Sequence, residues 1–231
     1  MRSILGHIAI ISLAAFLMVT GAHAQVVFTD ITEETGVALT EWLTESVAWG
    51  DYNNDGDEDL YLTVDGPNHL FRNDGGGGFT DVTVAAGVGN QGFSVGTAFG
   101  DLDNDGDLDL VVTADMNESN RLWRNDSPTG HHWFGLRLQW ARSNASAIGA
   151  RVVVTAVEGS YVQEVSGGAG RGSQNSLPLE FGLGSATVVD ELTIRWPSGT
   201  VQTRRNVAVD RYLTITEPVA TVRCSGGRRV P

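Results

Sequence analysis

Two short acidic loops carry most of the chemistry in this sequence. Asp101-Leu-Asp-Asn-Asp-Gly-Asp-Leu-Asp109 places aspartate at every second position, and Asp51-Tyr-Asn-Asn-Asp-Gly-Asp-Glu-Asp59 is a near copy. Carboxylates crowded into one loop repel each other, and a hard divalent cation removes that cost. Ca²⁺ takes about six to eight oxygen ligands, and a D-x-[DN]-x-[DN]-G start supplies them. The loops therefore predict two calcium sites.

The spacing within each loop assigns the ligands. The first, third, fifth and ninth positions are predicted to offer side chains, and the seventh position its backbone carbonyl. A glycine with positive φ allows the sharp turn at the sixth position, in Gly56 and Gly106. The predicted side-chain ligands are Asp51, Asn53, Asp55 and Asp59 in the first loop and Asp101, Asp103, Asp105 and Asp109 in the second, with Asp57 and Asp107 at the seventh positions.

The residues that follow each loop distinguish it from an EF-hand. The twelfth position is Leu62 in one loop and Val112 in the other, where an EF-hand needs a bidentate glutamate. The flanks read as strands, because Leu60, Leu62 and Val64 alternate with polar or aromatic residues at a period of two. The predicted unit is strand, calcium loop, strand. In such a unit the ion is expected to hold the turn in place rather than to take part in catalysis.

Charge is unevenly distributed along the chain, whose net charge is −13. Residues 25–130 hold 21 Asp and Glu against 3 Arg, whereas residues 131–231 hold 7 Asp and Glu against 11 Arg. An acidic half of this kind argues against nucleic acid as a partner. Two bound Ca²⁺ ions would offset part of the negative charge.

The N-terminal residues resemble a secretory signal. Arg2 precedes the apolar stretch from Ile4 to Val19, and Ala22-His-Ala24 fits a cleavage site before Gln25. The apolar stretch is short for a membrane span, which needs about 20 residues. We expect a secreted, periplasmic or cell-surface protein with no membrane span after cleavage. Cys224 is the single cysteine, so an intrachain disulfide is impossible.

The acidic half contains an internal repeat. Phe28-Thr-Asp-Ile-Thr32 returns as Phe79-Thr-Asp-Val-Thr83, and Asn68-His-Leu-Phe-Arg-Asn-Asp74 returns as Asn120-Arg-Leu-Trp-Arg-Asn-Asp126. One acidic loop follows each copy of the first motif. Short strands repeated at a period of about 50 residues are typical of propeller blades.

The two units resemble FG-GAP/VCBS-type repeats, the calcium-bearing blades also seen in integrin α-subunit propellers. The residues that carry this resemblance are the two loops and the segments Ala48-Trp-Gly50 and Ala98-Phe-Gly100 before them. The C-terminal part resembles an ASPIC/UnbV domain. Its matching residues are Ser143-Asn144, Ala147-Ile-Gly-Ala-Arg-Val152, Phe181-Gly-Leu-Gly184, Arg195-Trp-Pro-Ser-Gly199 and Asn206-Val207.

Together these parts resemble secreted bacterial proteins related to cartilage acidic protein, over roughly residues 28–217. Two departures limit what the resemblance implies. Propellers have about four to eight blades, so two repeats leave open edges that invite self-association. The chain could pack its repeats on the C-terminal domain, be a fragment, or be half of an assembly. Relatives also often have Arg-Asp and an aromatic residue where this chain has Ala145-Ser146 and Arg171-Gly172, so no function of those side chains is carried over.

The C-terminal part is predicted to be all-β from its residues alone. Residues 150–156 and 161–165 flank a turn, residues 192–196 and 200–203 flank Pro197-Ser-Gly199, and Arg211–Thr216 forms a last strand. The predicted fold is all-β, with two propeller-blade-like calcium repeats followed by a β-sandwich-like domain. The predicted boundaries are 1–24 for the signal peptide, 25–130 for the repeats, 131–218 for the C-terminal domain and 219–231 for a basic tail.

No catalytic motif is found. Neither H-E-x-x-H nor G-x-S-x-G occurs, and His131-His132 is interpreted as a linker or packing element rather than a metal site. The glycine-rich Ser166–Ser173 lacks a phosphate-binding pattern and is interpreted as a turn. We expect a non-catalytic interaction or adhesion protein that binds a protein or glycan at the cell surface or outside the cell. The alternative is a calcium-dependent enzyme that acts on polysaccharide, or an accessory subunit of one.

Overall fold

A computed structural model describes residues 26–40, 43–115, 118–139, 146–168 and 174–218. The predicted signal peptide, the predicted basic tail and Cys224 lie outside the described residues. Most of the glycine-rich stretch 166–173 and the Ser143-Asn144 pair also lie outside them.

The acidic half folds into two antiparallel sheets. Both loops connect the first two strands of a sheet, as the alternating flanks predict. Sheet one has the order β1 (Thr44–Gly50), β2 (Asp59–Val64), β3 (His69–Asn73) and β4 (Phe79–Asp81). Sheet two has the order β5 (Ser94–Gly100), β6 (Asp109–Ala114) and β7 (Arg121–Trp123). Two one-turn helices precede the sheets, α1 (Thr32–Thr35) and α2 (Thr83–Ala86).

The sheets are offset from the sequence repeat. Phe79, Thr80 and Asp81 belong to the second copy of the repeated motif, yet they form β4 and pair with Asn73, Arg72 and Phe71 of sheet one. A sheet therefore takes its fourth strand from the start of the next repeat. Within the described residues, sheet two ends at β7 and has three strands.

One apolar core joins sheets one and two. Residues that face between the sheets share near-complete burial; they are Ala48, Tyr61, Leu70, Val88, Phe99, Leu108, Leu110 and Val112. The Tyr61 hydroxyl donates to the carbonyl of Val88 at 2.8 Å, so the largest side chain of this core satisfies its polar atom. The packing fixes β1 and β5 beside each other and brings the two acidic loops to the same end of the sheets.

The C-terminal part is a pair of packed sheets. Sheet three has the order β10 (Gly159–Glu164), β9 (Arg151–Ala156), β12 (Val188–Arg195) and β13 (Val201–Ala208). Sheet four has the order β11 (Leu179–Gly182), β8 (Trp133–Gln139) and β14 (Arg211–Thr216), with β14 parallel to β8. Inward-facing residues such as Leu136, Val154, Phe181 and Leu192 form its core.

These observations confirm the predicted fold class. Among the described residues the regular structure is almost all β, and the C-terminal part is sandwich-like. The described residues also contain no helix long and apolar enough to cross a membrane.

Candidate metal-binding loops

The second loop is shaped by its own carboxylates. Asp101 accepts the backbone N–H of Asn104 at 2.7 Å and that of Gly106 at 3.0 Å. Asp109 accepts the N–H of Leu102 at 2.7 Å and that of Asn125 at 2.8 Å. The first and ninth residues of the loop therefore fold the intervening chain back on itself.

This fold brings three carboxylates together. One oxygen each from Asp101, Asp103 and Asp109 lies within 4.8 Å of the others, and these residues are the one such acidic group among the described residues. Asp109 is buried, whereas Asp103 is exposed. Asp105, also predicted as a side-chain ligand, lies outside this group. Its Oδ1 accepts the N–H of Asp107 at 3.0 Å. Three converging carboxylates form a cluster that could hold a metal ion.

The first loop has a similar turn but a different set of side chains. Asp51 accepts the N–H groups of Asp55 and Gly56 at 3.1 and 2.8 Å. Asp59 is fully buried and accepts the N–H of Tyr52 at 3.1 Å and that of Asn73 at 2.8 Å. The third position is Asn53, whose amide donates to Asp55 Oδ2 at 2.9 Å. The first loop therefore presents an amide where the second presents a carboxylate.

Both loops use the predicted left-handed turn. Gly56 has a φ of 96° and Gly106 a φ of 98°, as their positions in the loops predict. The preceding turn residues Asn54 and Asn104 also have positive φ, of 60° and 65°. Asparagine tolerates this conformation better than most residues with a side chain. The two loops therefore turn in the same way at these positions.

Burial raises the pKa of aspartates in both loops. Burial, reinforced by neighbouring carboxylates, raises the pKa of Asp51 to about 8 and that of Asp59 to about 7. Burial likewise raises the pKa of Asp107 to about 6. No ion pair to Asp51 or Asp59 occurs within the described part of the chain. A bound cation would favour the ionised forms, and oxygen donors of this kind suit a hard ion such as Ca²⁺.

The two loops contact each other directly. The Asn54 amide donates to the carbonyl of Gly106 at 3.2 Å and to Asp107 Oδ1 at 2.8 Å. The Asp107 side chain is thus directed to the other loop, and its backbone carbonyl is the group predicted to face an ion. Asn125 adds a second link, since its amide donates to the carbonyl of Tyr52 at 2.8 Å.

The C-terminal sheets cover the turn of each loop with an aromatic side chain. A Cβ added to Gly106 would lie 2.0 Å from Trp133, and one added to Gly56 would lie 2.7 Å from Tyr161. These glycines therefore serve a close approach as well as a positive φ. The opposite arrangement occurs at Gly182, a glycine of the C-terminal part that lies against a side chain of the first loop. A Cβ added to Gly182 would lie 1.8 Å from Asp51 Oδ2.

Tyr212 links the second loop to the C-terminal core. Its hydroxyl donates to Asp101 Oδ2 at 2.7 Å and lies 3.1 Å from Glu180 Oε1. Its ring lies under the Arg137 guanidinium, 3.7 Å from the ring centroid, and packs edge-on against Trp133. Burial and the neighbouring carboxylates raise the pKa of the Tyr212 hydroxyl, so it remains a donor at neutral pH.

The paired histidines also reach the loops and strands around them. His131 Nδ1 lies 2.9 Å from the carbonyl of Asn53, and His132 Nδ1 lies 2.8 Å from Asp210 Oδ2. The His131 contact joins the C-terminal part to the first loop, whereas the His132 contact lies within the C-terminal part. The interpretation of the pair as a linker or packing element stays a prediction.

Sequence reasoning identified the loops but missed what covers them. Trp133, Tyr161, Glu180 and Tyr212 lie far from the acidic motifs in the chain, and none has a spacing that marks it as their neighbour. Tyr212 was placed correctly on the last strand, without a partner. The alternation of residues along β14 is only a weak signal for the contact with the loop, because it indicates which side chains share a face but not what that face packs against.

Comparison with protein families accounts for both halves. Residues 51–112 match the model of an FG-GAP-like repeat, and residues 140–222 match the model described as ASPIC and UnbV. A comparison with curated proteins gave no match. The resemblance stated from the motifs is thereby confirmed. The chain combines an FG-GAP-like repeat segment with a C-terminal ASPIC/UnbV domain, an architecture that suggests an extracellular-type repeat protein.

Proposed function

We propose that this chain is a secreted, calcium-binding and non-catalytic interaction protein whose two acidic loops each hold one Ca²⁺. The observation that carries the proposal is the convergence of Asp101, Asp103 and Asp109, with ligand oxygens within 4.8 Å of one another. The matching left-handed turn at Asn54 and Gly56 of the first loop supports a second site. The raised pKa values of Asp51 and Asp59 support it further, because a bound cation would favour their ionised forms.

The proposed ligands combine the observed cluster with the loop spacing. In the second loop Asp101, Asp103 and Asp109 hold the ion, joined by the Asp105 side chain and the Asp107 carbonyl. In the first loop Asp51, Asn53, Asp55 and Asp59 supply side chains and Asp57 a carbonyl. The chemistry that the ion supplies is charge neutralisation, which lets carboxylates remain ionised inside a tight turn.

The proposed role of the ion is to support the contact between the two halves of the chain. Trp133, Tyr161 and Tyr212 rest on the loops rather than on the strands that flank them. A loop that keeps one shape presents a constant surface to these aromatics. We propose that the ASPIC/UnbV domain, held in this way, contacts a protein or glycan partner outside the cell.

A calcium titration of thermal unfolding tests this function. The chain predicted to begin at Gln25 is melted in EDTA and in increasing calcium, with magnesium as the control for general ionic effects. One site filled at a hundredfold excess over its dissociation constant stabilises the fold by about 2.7 kcal/mol. A rise in melting temperature with calcium that magnesium does not reproduce is the expected result. Identical melts in EDTA and calcium would overturn the proposal.

A second candidate function rests on a cavity between the two halves. It has a volume of about 250 Å³ and is lined by residues that include Trp49, Glu58, Gln163, Asn175 and Glu180. Burial raises the pKa of Glu58 and raises that of Glu180 to about 7. An aromatic residue, amides and a carboxyl group protonated near neutral pH suit a calcium-dependent enzyme acting on polysaccharide.

Release of reducing sugar ends from polysaccharides separates the two candidates. An enzyme would release them in calcium and lose this activity in EDTA and in the Glu58→Gln variant. An interaction protein would retain polysaccharide or surface protein saturably and release no product.

A further inference from the structure

Sheets one and two differ at their outer edges. In sheet one the edge of β3 is covered by β4, whose residues Phe79, Thr80 and Asp81 oppose Asn73, Arg72 and Phe71. The internal repeat aligns Phe71 to Asn73 with Trp123 to Asn125. Within the described residues, β7 has β6 on one side and no strand on the other. The edge that β4 covers in sheet one is therefore open in sheet two.

The contacts at the covered edge show what a fourth strand supplies. Leu70 accepts the N–H of Val82 at 2.9 Å and donates its own N–H to Thr83 Oγ1 at 2.8 Å. Val82 packs against the core between the sheets, and Leu70 is 3% exposed. The carbonyl of Phe79 lies 3.1 Å from a Cβ added to Gly36, so the strand also closes over the turn after α1.

Each of these positions has an open counterpart in sheet two. Leu122, which aligns with Leu70, is 60% exposed. Gly87, which aligns with Gly36, has no atom of the described chain within 4 Å of an added Cβ. An open groove of about 460 Å³ runs between this turn and β7, with Gly87, Gly89, Arg121 and Trp123 among its lining residues. The groove occupies the place that β4 fills in sheet one.

The chain also carries a segment with the sequence of the missing strand. Phe28-Thr-Asp-Ile-Thr32 repeats Phe79-Thr-Asp-Val-Thr83 with one conservative change. Phe28 is 94% exposed and Ile31 is 47% exposed, whereas Phe79 and Val82 are partly buried. An apolar segment exposed to water and an uncovered sheet edge are complementary, because pairing them buries apolar surface and satisfies backbone groups.

We propose that the Phe28–Thr32 segment of one copy pairs with β7 of a second copy as the fourth strand of its sheet two. By analogy with β4, Phe28 opposes Asn125, Thr29 opposes Arg124 and Asp30 opposes Trp123. Ile31 then packs beside Leu122, as Val82 packs near Leu70 in sheet one. The pairing uses backbone hydrogen bonds and apolar contacts, so it does not depend on the proposed calcium binding.

The position of the turn after α1 favours a second copy as the donor. Gly36 is held against the Phe79 carbonyl of sheet one, whereas the acceptor edge belongs to sheet two. Each copy thus supplies both a donor segment and an acceptor edge. Contacts between unlike surfaces are heterologous, and they produce either closed rings or open chains of copies.

Disulfide trapping tests the pairing at residue level. Thr29→Cys and Arg124→Cys are combined with Cys224→Ser, which removes the native thiol. Directly opposed strand residues have Cα atoms about 4.5 to 5.5 Å apart, within the range of a disulfide. Arg72→Cys with Thr80→Cys in the same background is the matched control, because these residues oppose each other in β3 and β4.

The expected product under mild oxidation is a disulfide-linked species of two or more chains, whereas the control variant gives a cross-link within one chain. In an equimolar mixture of the separate Thr29→Cys and Arg124→Cys chains, the mixed dimer should exceed either homodimer. The Phe28→Asp/Ile31→Asp variant with both cysteines should lose the cross-link and show the molar mass of a single chain by light scattering.

Three results would overturn the proposal. They are a cross-link confined to one chain in the Thr29→Cys/Arg124→Cys variant, no cross-link where the control forms one, and a wild-type chain that light scattering finds monomeric at high concentration. The measurements are repeated in EDTA and in calcium. Failure of calcium binding with intact cross-linking would reject the proposed function alone, and the reverse would reject this inference alone.

Discussion

The hydroxyl of Tyr212 donates a hydrogen bond to Asp101, across 111 positions of the sequence, at 2.7 Å. Asp101 opens the second acidic loop and Tyr212 lies on the last strand of the C-terminal sheets. The oxygen that receives this bond also accepts the N–H of Gly106. Tyr212 therefore helps to orient a carboxylate that belongs to the candidate metal cluster.

Tyr212→Phe tests this relationship. The variant keeps the ring between Arg137 and Trp133 and removes the hydroxyl that donates to Asp101 and lies 3.1 Å from Glu180. Loss of one such hydrogen bond is expected to lower the free energy of unfolding by about 1 to 3 kcal/mol. Loss of an outer partner of a metal ligand typically weakens metal affinity by about 10- to 100-fold.

Calorimetric titration of calcium and urea unfolding measure both effects of Tyr212→Phe. Tyr161→Phe is the control, because it removes a hydroxyl from the aromatic that covers the other loop. A calcium affinity in Tyr212→Phe equal to that of wild type would show that Asp101 needs no help from the C-terminal strand.

Asp103→Asn separates metal binding from loop folding. The Asp103 side chain is 41% exposed, and its ion pair to Arg124 is 4.0 Å long, so it contributes little to the fold without an ion. In EDTA the free energy of unfolding of the variant should lie within about 0.5 kcal/mol of the wild-type value. In calcium it should lose most of the stabilisation from the second site.

Asp126→Asn is the matched control for Asp103→Asn, because Asp126 pairs with the same arginine at 2.7 Å but lies outside the cluster. Differential scanning calorimetry in both conditions gives the comparison. Equal losses in the two variants, or a loss in EDTA as large as in calcium, would remove Asp103 from the ligand set.

The raised pKa values of Asp51 and Asp59 predict how stability depends on pH. The folded state binds protons more tightly than the unfolded state, whose aspartates ionise near pH 4. Because the folded form then holds more protons, the free energy of unfolding falls as pH rises, and the loss develops between about pH 4 and pH 8. Without metal, these two groups should therefore make the chain less stable at pH 7.5 than at pH 5.5.

Calcium should reduce or reverse this slope, because it favours the ionised carboxylates and its binding releases protons. Urea unfolding at several pH values in EDTA and in calcium measures the difference. The Asp51→Asn/Asp59→Asn variant should show a flatter profile in EDTA. If the free energy of unfolding in EDTA rose with pH, and did so equally in this variant, the assignment of raised pKa values to Asp51 and Asp59 would be contradicted.

Gly106→Ala tests the close approach of the C-terminal sheets to the second loop. The added methyl group meets Trp133 at 2.0 Å and the residue must keep a φ of 98°, so the expected loss of unfolding free energy exceeds about 3 kcal/mol. Gly130→Ala is the control, since Gly130 has a φ of 71° with no atom of the described chain within 4 Å.

Gly130→Ala should cost only the backbone strain of about 1 to 2 kcal/mol. Chemical unfolding of both variants gives the difference between them. If the two losses were equal, the contact between Gly106 and Trp133 would contribute nothing beyond backbone strain.

The sequence predicted the local parts of this molecule well and their relations poorly. Alternation at a period of two identified the strands that flank Asp51 to Asp59 and the last strand up to Thr216, because that pattern reflects burial of one face. The positive φ at Gly56 and Gly106 followed from the loop motif. Both features depend on a few neighbouring residues.

Relations between distant segments carried no comparable signal. The second copy of the repeated motif begins at Phe79, yet Phe79–Asp81 completes the preceding sheet because strand pairing, not repetition, decides which edge is covered. Asp105 was grouped with the other ligands by spacing alone, and the structure leaves it outside the converging set. The contacts of Trp133, Tyr161 and Tyr212 arise from packing of two halves, which no short pattern encodes.

The hydrogen bonds from Asn54 to Gly106 and Asp107 have a consequence for how the two loops respond to ions. In the proposed function, an ion that fixed the shape of one loop would also fix the partner atoms of the other, so occupancy at one site would change the affinity at its neighbour. Thermodynamic reciprocity requires the second site to return the same factor to the first. The pair would then titrate as one coupled unit: a factor that raises affinity gives a steeper binding curve than two separate sites would, and a factor that lowers it gives a shallower one.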